Sequence, residues 1–132
     1  MPFELLPHTA DLKAVTLAPD LAGLYGAAVD LVREILVGDS PVEEREVRDI
    51  PCEAGELSET YFRFVRELLY AFDAEGFLPA RAELGDPVRV RGERFDPDRH
   101  RVERQVKAVT RHGFRMVREP EGGWRAELVF DL

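Results

Sequence analysis

The chain has one cysteine, Cys52, and only two lysines, Lys13 and Lys107, beside sixteen arginines. A single thiol excludes an intrachain disulfide and a thiolate zinc cluster, and Cys52 reads as a small apolar filler. No run reaches the roughly 20 apolar residues of a membrane span, and residues 1–8 have neither a basic start nor a long apolar stretch. A cytoplasmic protein is expected. Glycine-rich phosphate loops, a serine nucleophile elbow and histidines paired at helical metal spacing are missing too, which disfavours an ordinary kinase or hydrolase. The net charge of −8 leaves too little Lys and Arg for general binding to a phosphate backbone.

What is present fits one α+β domain over residues 1–132. The 45% hydrophobic and 33% charged fractions are those of a globular chain, and apolar residues run along its whole length. Charge is uneven. Up to Gly76 six basic residues face sixteen acidic ones, and from Phe77 onward twelve face ten. That polarity suits a basic partner on the first half, or a plain solvated surface.

Two stretches carry helical periodicity. Over residues 20–37, Leu21, Leu24, Tyr25, Ala28, Leu31, Val32, Ile35 and Leu36 form one stripe, with Asp20 placed to cap the start and Gly38 to end it. Over residues 58–73 the stripe is Tyr61, Phe64, Val65, Leu68, Leu69 and Phe72, with Gly76 as the stop. The rest alternates. Strands are expected over residues 12–18, 88–94, 105–118 (with a bend or bulge at Gly113) and from Trp124 to the end. In the last, Trp124, Ala126, Leu128 and Phe130 share one face, and Arg125, Glu127, Val129 and Asp131 the other. Asp131 is therefore held in a sheet. Short connections after Val88 make the sheet mainly antiparallel, with both helices on one side.

Among chemistry-bearing residues, His8-Thr9-Ala10-Asp11 stands just before the first expected strand, although locally it reads first as a hydrogen-bonded turn. Lys107 shares a face with Val109, and its compact ammonium stands out in a chain that otherwise uses arginine. The segment 95–101, with its two Asp residues, Pro97 and His100, is a candidate functional loop or an ordinary polar turn.

Together these pieces resemble the archease family. The likeness rests on His8-Thr9-Ala10-Asp11, the helix after Asp20, Glu67-Leu68-Leu69-Tyr70 with Asp73 and Glu75, Gly92-Glu93 through Asp96 and His100, residues 106–110 and the closing Asp131-Leu132. The resemblance implies a protein cofactor, not an enzyme, that activates an RtcB-type tRNA-splicing RNA ligase by promoting its guanylylation and multiple turnover. It further implies a metal site of Asp11, Asp131 and a main-chain oxygen of Leu132, with Lys107 functional and His8, Asp73 and His100 matching family positions of lower rank. Two carboxylates within about 4 Å repel by roughly 4 kcal/mol at an effective dielectric of 20, so a converged pair calls for a cation. Calcium suits an oxygen shell, with manganese or magnesium as alternatives. RNA is then met only through the ligase. The rival reading is a small acidic chaperone-like protein for basic clients; a third is a metal-dependent enzyme acting alone on a phosphoester.

Lys13 and Arg111 depart from the family pattern, each adding a positive charge. Pointing toward the Asp pair, Lys13 would lower cation affinity. Pointing to solvent, it would only decorate the strand.

Overall fold

The computed structural model describes residues 3–6, 11–52 and 55–132. Its elements run β1 (Phe3–Leu6), β2 (Asp11–Ala18), α1 (Leu21–Val37), β3 (Glu46–Ile50), α2 (Leu57–Glu75), β4 (Phe77–Glu83), β5 (Val88–Arg94), β6 (Ala108–Arg118) and β7 (Trp124–Asp131). Both helices form where the stripes predict them. Asp20 keeps an extended backbone and accepts the Gly23 N–H at 2.7 Å, which satisfies one of the free amides of the first turn of α1. At the end of α2, Gly76 takes the left-handed conformation, φ 69, and returns its N–H to the Phe72 carbonyl.

The strands form two antiparallel sheets, one ordered β1-β2-β7-β6 and the other β3-β5-β4. Helix α1 packs on β2 of the first sheet and β4 of the second, while α2 packs on β6 and β4. One core therefore serves both sheets. Its largest fully buried side chains include Tyr25, Tyr61, Phe62, Phe77 and Phe130. Tyr61 is anchored there by its hydroxyl, which lies 2.9 Å from Thr16 Oγ1 and donates to the Leu24 carbonyl at 3.3 Å.

The α+β class holds, but two sheets replace the single one expected. Of the second sheet only β5 follows from spacing, because β3 reads Glu-Val-Arg-Asp-Ile, three charged residues of five, and β4 reads Phe-Leu-Pro-Ala-Arg-Ala-Glu, with a proline inside it. Their charges pair across the sheet instead. Arg89 meets Asp49 at 3.5 Å, Arg91 meets Glu83 at 3.0 Å and Arg81 meets Glu44 at 3.1 Å.

The terminal strand behaves as its alternation requires. Ala126, Leu128 and Phe130 are buried toward the core, and β7 is paired on both flanks, by β2 and by β6. Gly113 does mark a break. Register jumps between Thr110 and Arg115, so four residues of β6 stand where β7 supplies one, and Gly113 has φ 86. This excursion lies against the sheet's outer face, where a Cβ on Gly113 would come within 2.8 Å of Val129 Cγ2. That cover accounts for the burial of Val129, which alternation alone places outside.

Candidate functional site

Asp11 opens β2 and Asp131 closes β7, and antiparallel pairing makes the two direct partners across the ladder. Directly opposed residues have Cα atoms about 4.5–5.5 Å apart and side chains on the same face, so the two carboxylates project together from one rung. The rung is fixed from both sides. Ala108 of β6 is the other ladder partner of Asp131, and the Lys107 N–H donates to the Asp131 carbonyl at 2.8 Å. Residues from opposite ends of the sequence thus meet through strand register, whose alternation with buried Leu12 and Phe130 forbids a one-residue slip.

On this outer face, a cavity of about 380 Å³ adjoins the rung. Asp11, Lys13, His112 and Glu127 bring polar groups to it, and Ala14, Val15, Leu128 and Val129 are its buried apolar members. Neither His112 nor Glu127 figures among the sequence candidates. Glu127 was legible by its alternation with Asp131, whereas His112 arrives only because of the β6 excursion.

Lys107, Leu132 and Asp73 share a different cavity, of about 470 Å³. Strand alternation puts Lys107 on the face of Val109, which is buried, while Ala108 shares the face of Asp131. The lysine therefore stands next to the rung in sequence and pairing, but on the helix-covered side. The end of α1 at Leu36 and the last turns of α2 at Leu69, Phe72 and Asp73 line the same cavity, where Lys107 is exposed. Val102 and Leu132 are 44% and 39% exposed at this cavity, which leaves apolar surface open beside the lysine. One end of the first sheet thus presents carboxylates on one face and an ammonium with apolar surface on the other.

His100 lines neither cavity. Its ring is buried; Nδ1 accepts the Asp96 N–H at 2.9 Å and Nε2 lies 3.3 Å from Glu93 Oε2. Because Nδ1 accepts, the ring proton sits on Nε2 and is donated to Glu93. Glu93 also takes the Arg99 guanidinium and the Glu43 N–H, each at 2.5 Å. Burial alone would push the Glu93 carboxyl up, but these donors and the positive charge of Arg99 outweigh it and hold it at about 2. His100 therefore ties down the loop after β5. His8 lies outside the described residues.

A hard divalent cation fits the Asp rung by donor type, since the side chains offered are carboxylates and further oxygens come from the adjacent main chain. Among the described residues no three or more His, Cys, Asp or Glu side chains converge to hold a metal ion. The described rung would therefore contribute at most two side-chain ligands to a cation, whose other positions would fall to main chain, water or a partner.

Residues 3–132 match the Archease protein family (MTH1598/TM1083). The chain belongs to the archease family. Among its relatives, the archease of Methanopyrus kandleri is 34% identical over the full length of both chains, and that of Pyrococcus abyssi is 30% identical over 98% of each. The fold is shared with the solution structure of protein 1598 of Methanobacterium thermoautotrophicum, at a TM-score of 0.81 with 25% identity and 99% of each chain covered. A crystal structure of an archease from Thermotoga maritima, described as a possible chaperone, has the same fold at a TM-score of 0.63 and 18% identity. No helix among the described residues is long and apolar enough to cross a membrane.

Proposed function

We infer that this protein is a non-catalytic cofactor of RNA ligation, which activates an RtcB-type tRNA-splicing RNA ligase in the cytoplasm by promoting guanylylation and multiple turnover. Asp11 and Asp131, with a main-chain oxygen of Leu132, hold a divalent cation, calcium in the first place and manganese or magnesium as alternatives. RNA is reached only through the ligase. The observation that carries this reading is the direct pairing of Asp11 with Asp131. Like charges opposed on a ladder do not help it to form, which supports a role for a rung of two aspartates other than folding.

When bound, a cation supplies positive charge that can orient a phosphate group. The chain's own residues do the rest. Two paired strands keep the carboxylates in place on one face, and the opposite face offers Lys107 and Asp73 beside the exposed Val102 and Leu132 as a surface for a partner. Strands hold such groups more firmly than loops do, which favours a rigid docking end over a flexible one.

The test is a guanylylation assay with an RtcB-type ligase, GTP and catalytic amounts of this protein. Stimulation over ligase alone is expected, and its absence with the folded wild type overturns the reading. A second reading, a chaperone-like protein for basic clients, draws on the acidic first half and on the description of the Thermotoga relative. Asp11→Asn and Asp131→Asn separate the two, because a diffuse acidic surface would be nearly indifferent to either change.

A further inference from the structure

We propose that residues 101–107, between β5 and β6, and the cavity they border form a docking groove for an acidic, apolar peptide segment of a partner protein. This reading rests on the partner surface named above and gives that surface a ligand chemistry.

Charge pairing sets this segment apart. Elsewhere arginines meet carboxylates, as Arg33 meets Asp30, Arg48 meets Glu75, Arg81 meets Glu44 and Arg111 meets Glu59. Arg101, Arg104 and Lys107 recur at every third residue, and among the described residues none of the three side chains has a hydrogen bond or an ion pair. Arg115, likewise without a partner, stands singly on β6. Asp73 lines the cavity together with Arg104 and Lys107 and pairs with neither. Unpaired cations gathered on one segment of a chain with net charge −8 are open to carboxylates from outside.

The main chain of the segment is held but not used up. The Arg101 N–H donates to Ser40 Oγ at 3.1 Å, the Glu103 N–H to the Leu36 carbonyl at 2.8 Å and the Lys107 N–H to the Asp131 carbonyl at 2.8 Å. Between the last two ties, residues 104–106 belong to no helix or strand, and among the described residues their amides and carbonyls have no hydrogen-bond partner. An extended peptide can satisfy such groups, and its alternate side chains then supply the selection. Beside them the cavity of about 470 Å³ is lined by Leu36, Leu69 and Phe72, with Val102 and Leu132 exposing apolar surface at it. Cations fixed next to open apolar surface complement carboxylates alternating with aliphatic side chains. A phosphate backbone fits less well. Glu103 and Asp73 stand among the cations, and most of the apolar lining is aliphatic where nucleobases call for stacked rings.

The test is fluorescence anisotropy of a labelled octapeptide that alternates glutamate and leucine, titrated with the purified full chain. Parallel probes are lysine–leucine and glutamate–serine octapeptides and a labelled oligouridylate. Saturable binding of the glutamate–leucine peptide is expected, with a Kd on the order of 10–100 μM, and weaker binding of the other three. Arg104→Gln and Lys107→Gln should each raise that Kd about two- to fivefold, and Val102→Ser about threefold. Arg115→Gln, which removes an unpaired cation elsewhere, should leave it unchanged. Thermal unfolding of each variant shows whether the fold is kept. No saturable binding below about 1 mM, an equal loss with Arg115→Gln, or tighter binding of the lysine–leucine peptide or the RNA overturns the groove as an acidic-peptide site. So does a dimer in sedimentation that Lys107→Gln dissolves, because the occupant is then a second copy of this chain. The guanylylation assay keeps the two readings apart: ligase stimulation without peptide binding sinks only the groove, and peptide binding without stimulation sinks only the activator.

Discussion

Two places in this fold crowd charge, and they do so in opposite ways. Around Glu93, one buried carboxylate meets Arg99, the Glu43 amide and the Nε2 of His100, so its donors leave little demand for anything from outside. At the end of the first sheet, Asp11 faces Asp131, like against like. The first arrangement closes a loop. The second sets two like charges side by side, the arrangement on which the proposed cation site rests. The difference teaches that family resemblance at a charged position does not by itself separate a structural lock from a candidate site, since His100, which also matches a family position although one of lower rank than Asp131, is such a lock. Partner geometry separates them.

The widest gap between the two places is expected from the rung. Asp131→Asn, or Asp11→Asn, should reduce calcium affinity by roughly 100-fold or more, about 2.7 kcal/mol, as one of two charged ligands is lost. Ligase stimulation should fall with it. For Asp131→Asn, stability should stay level or rise by a few tenths of a kcal/mol, because the cross-strand repulsion is relieved. Calorimetric titration beside thermal unfolding checks both; a variant that binds calcium like wild type would break the comparison at its strongest point.

The mirror experiment is Glu93→Gln. Removing one partner from a buried charge cluster strands the other, so a loss of about 3 kcal/mol in unfolding free energy is expected, read from the urea midpoint. Calcium affinity should be unchanged. The pH dependence sharpens this. The Glu93 carboxyl lies at about 2 in the folded protein against an ordinary 4.5, so the unfolded chain takes up its proton first as pH falls. Its contribution is complete above about 4.5 and is lost as pH drops toward about 2. The stability difference between wild type and Glu93→Gln should therefore be flat from pH 7 to 5 and narrow steadily below, in denaturation curves taken pH by pH.

Much of this contrast could be read in the sequence, and the unread part has a physical reason. Helical stripes, the Asp20 cap and the alternation of β7 are local, so α1, α2 and the facing of Asp131 followed from spacing alone. The resemblance supplied Asp11 as a partner, and strand pairing agrees with it. By contrast, the side of the sheet taken by Lys107 became meaningful only once α2 was seen to cover that side with Asp73. The flanking strands of the second sheet, β3 and β4, are not legible because Arg and acidic residues on them are satisfied by partners on other segments, a pairing that no single segment reveals. His100 looked like a loop imidazole; only the fold shows the ring turned inward onto Glu93.

The smallest effect is expected from the β6 excursion, which borders the rung's cavity without supplying charge to the rung. Gly113 combines φ 86, disfavoured for any residue with a side chain, with a Cβ position 2.8 Å from Val129 Cγ2. Gly113→Ala must therefore either strain its backbone or push the excursion off Val129, at a cost of about 1–2 kcal/mol. The pairing of Asp11 with Asp131 lies on the far side of Val129 from this kink and depends on β2 and β7, not on residues 111–114. Gly113→Ala should accordingly lower the urea midpoint while leaving the calcium Kd within about twofold of wild type. A large loss of calcium binding would mean that the excursion helps to position the rung, and would join the outer cavity to the site as one unit.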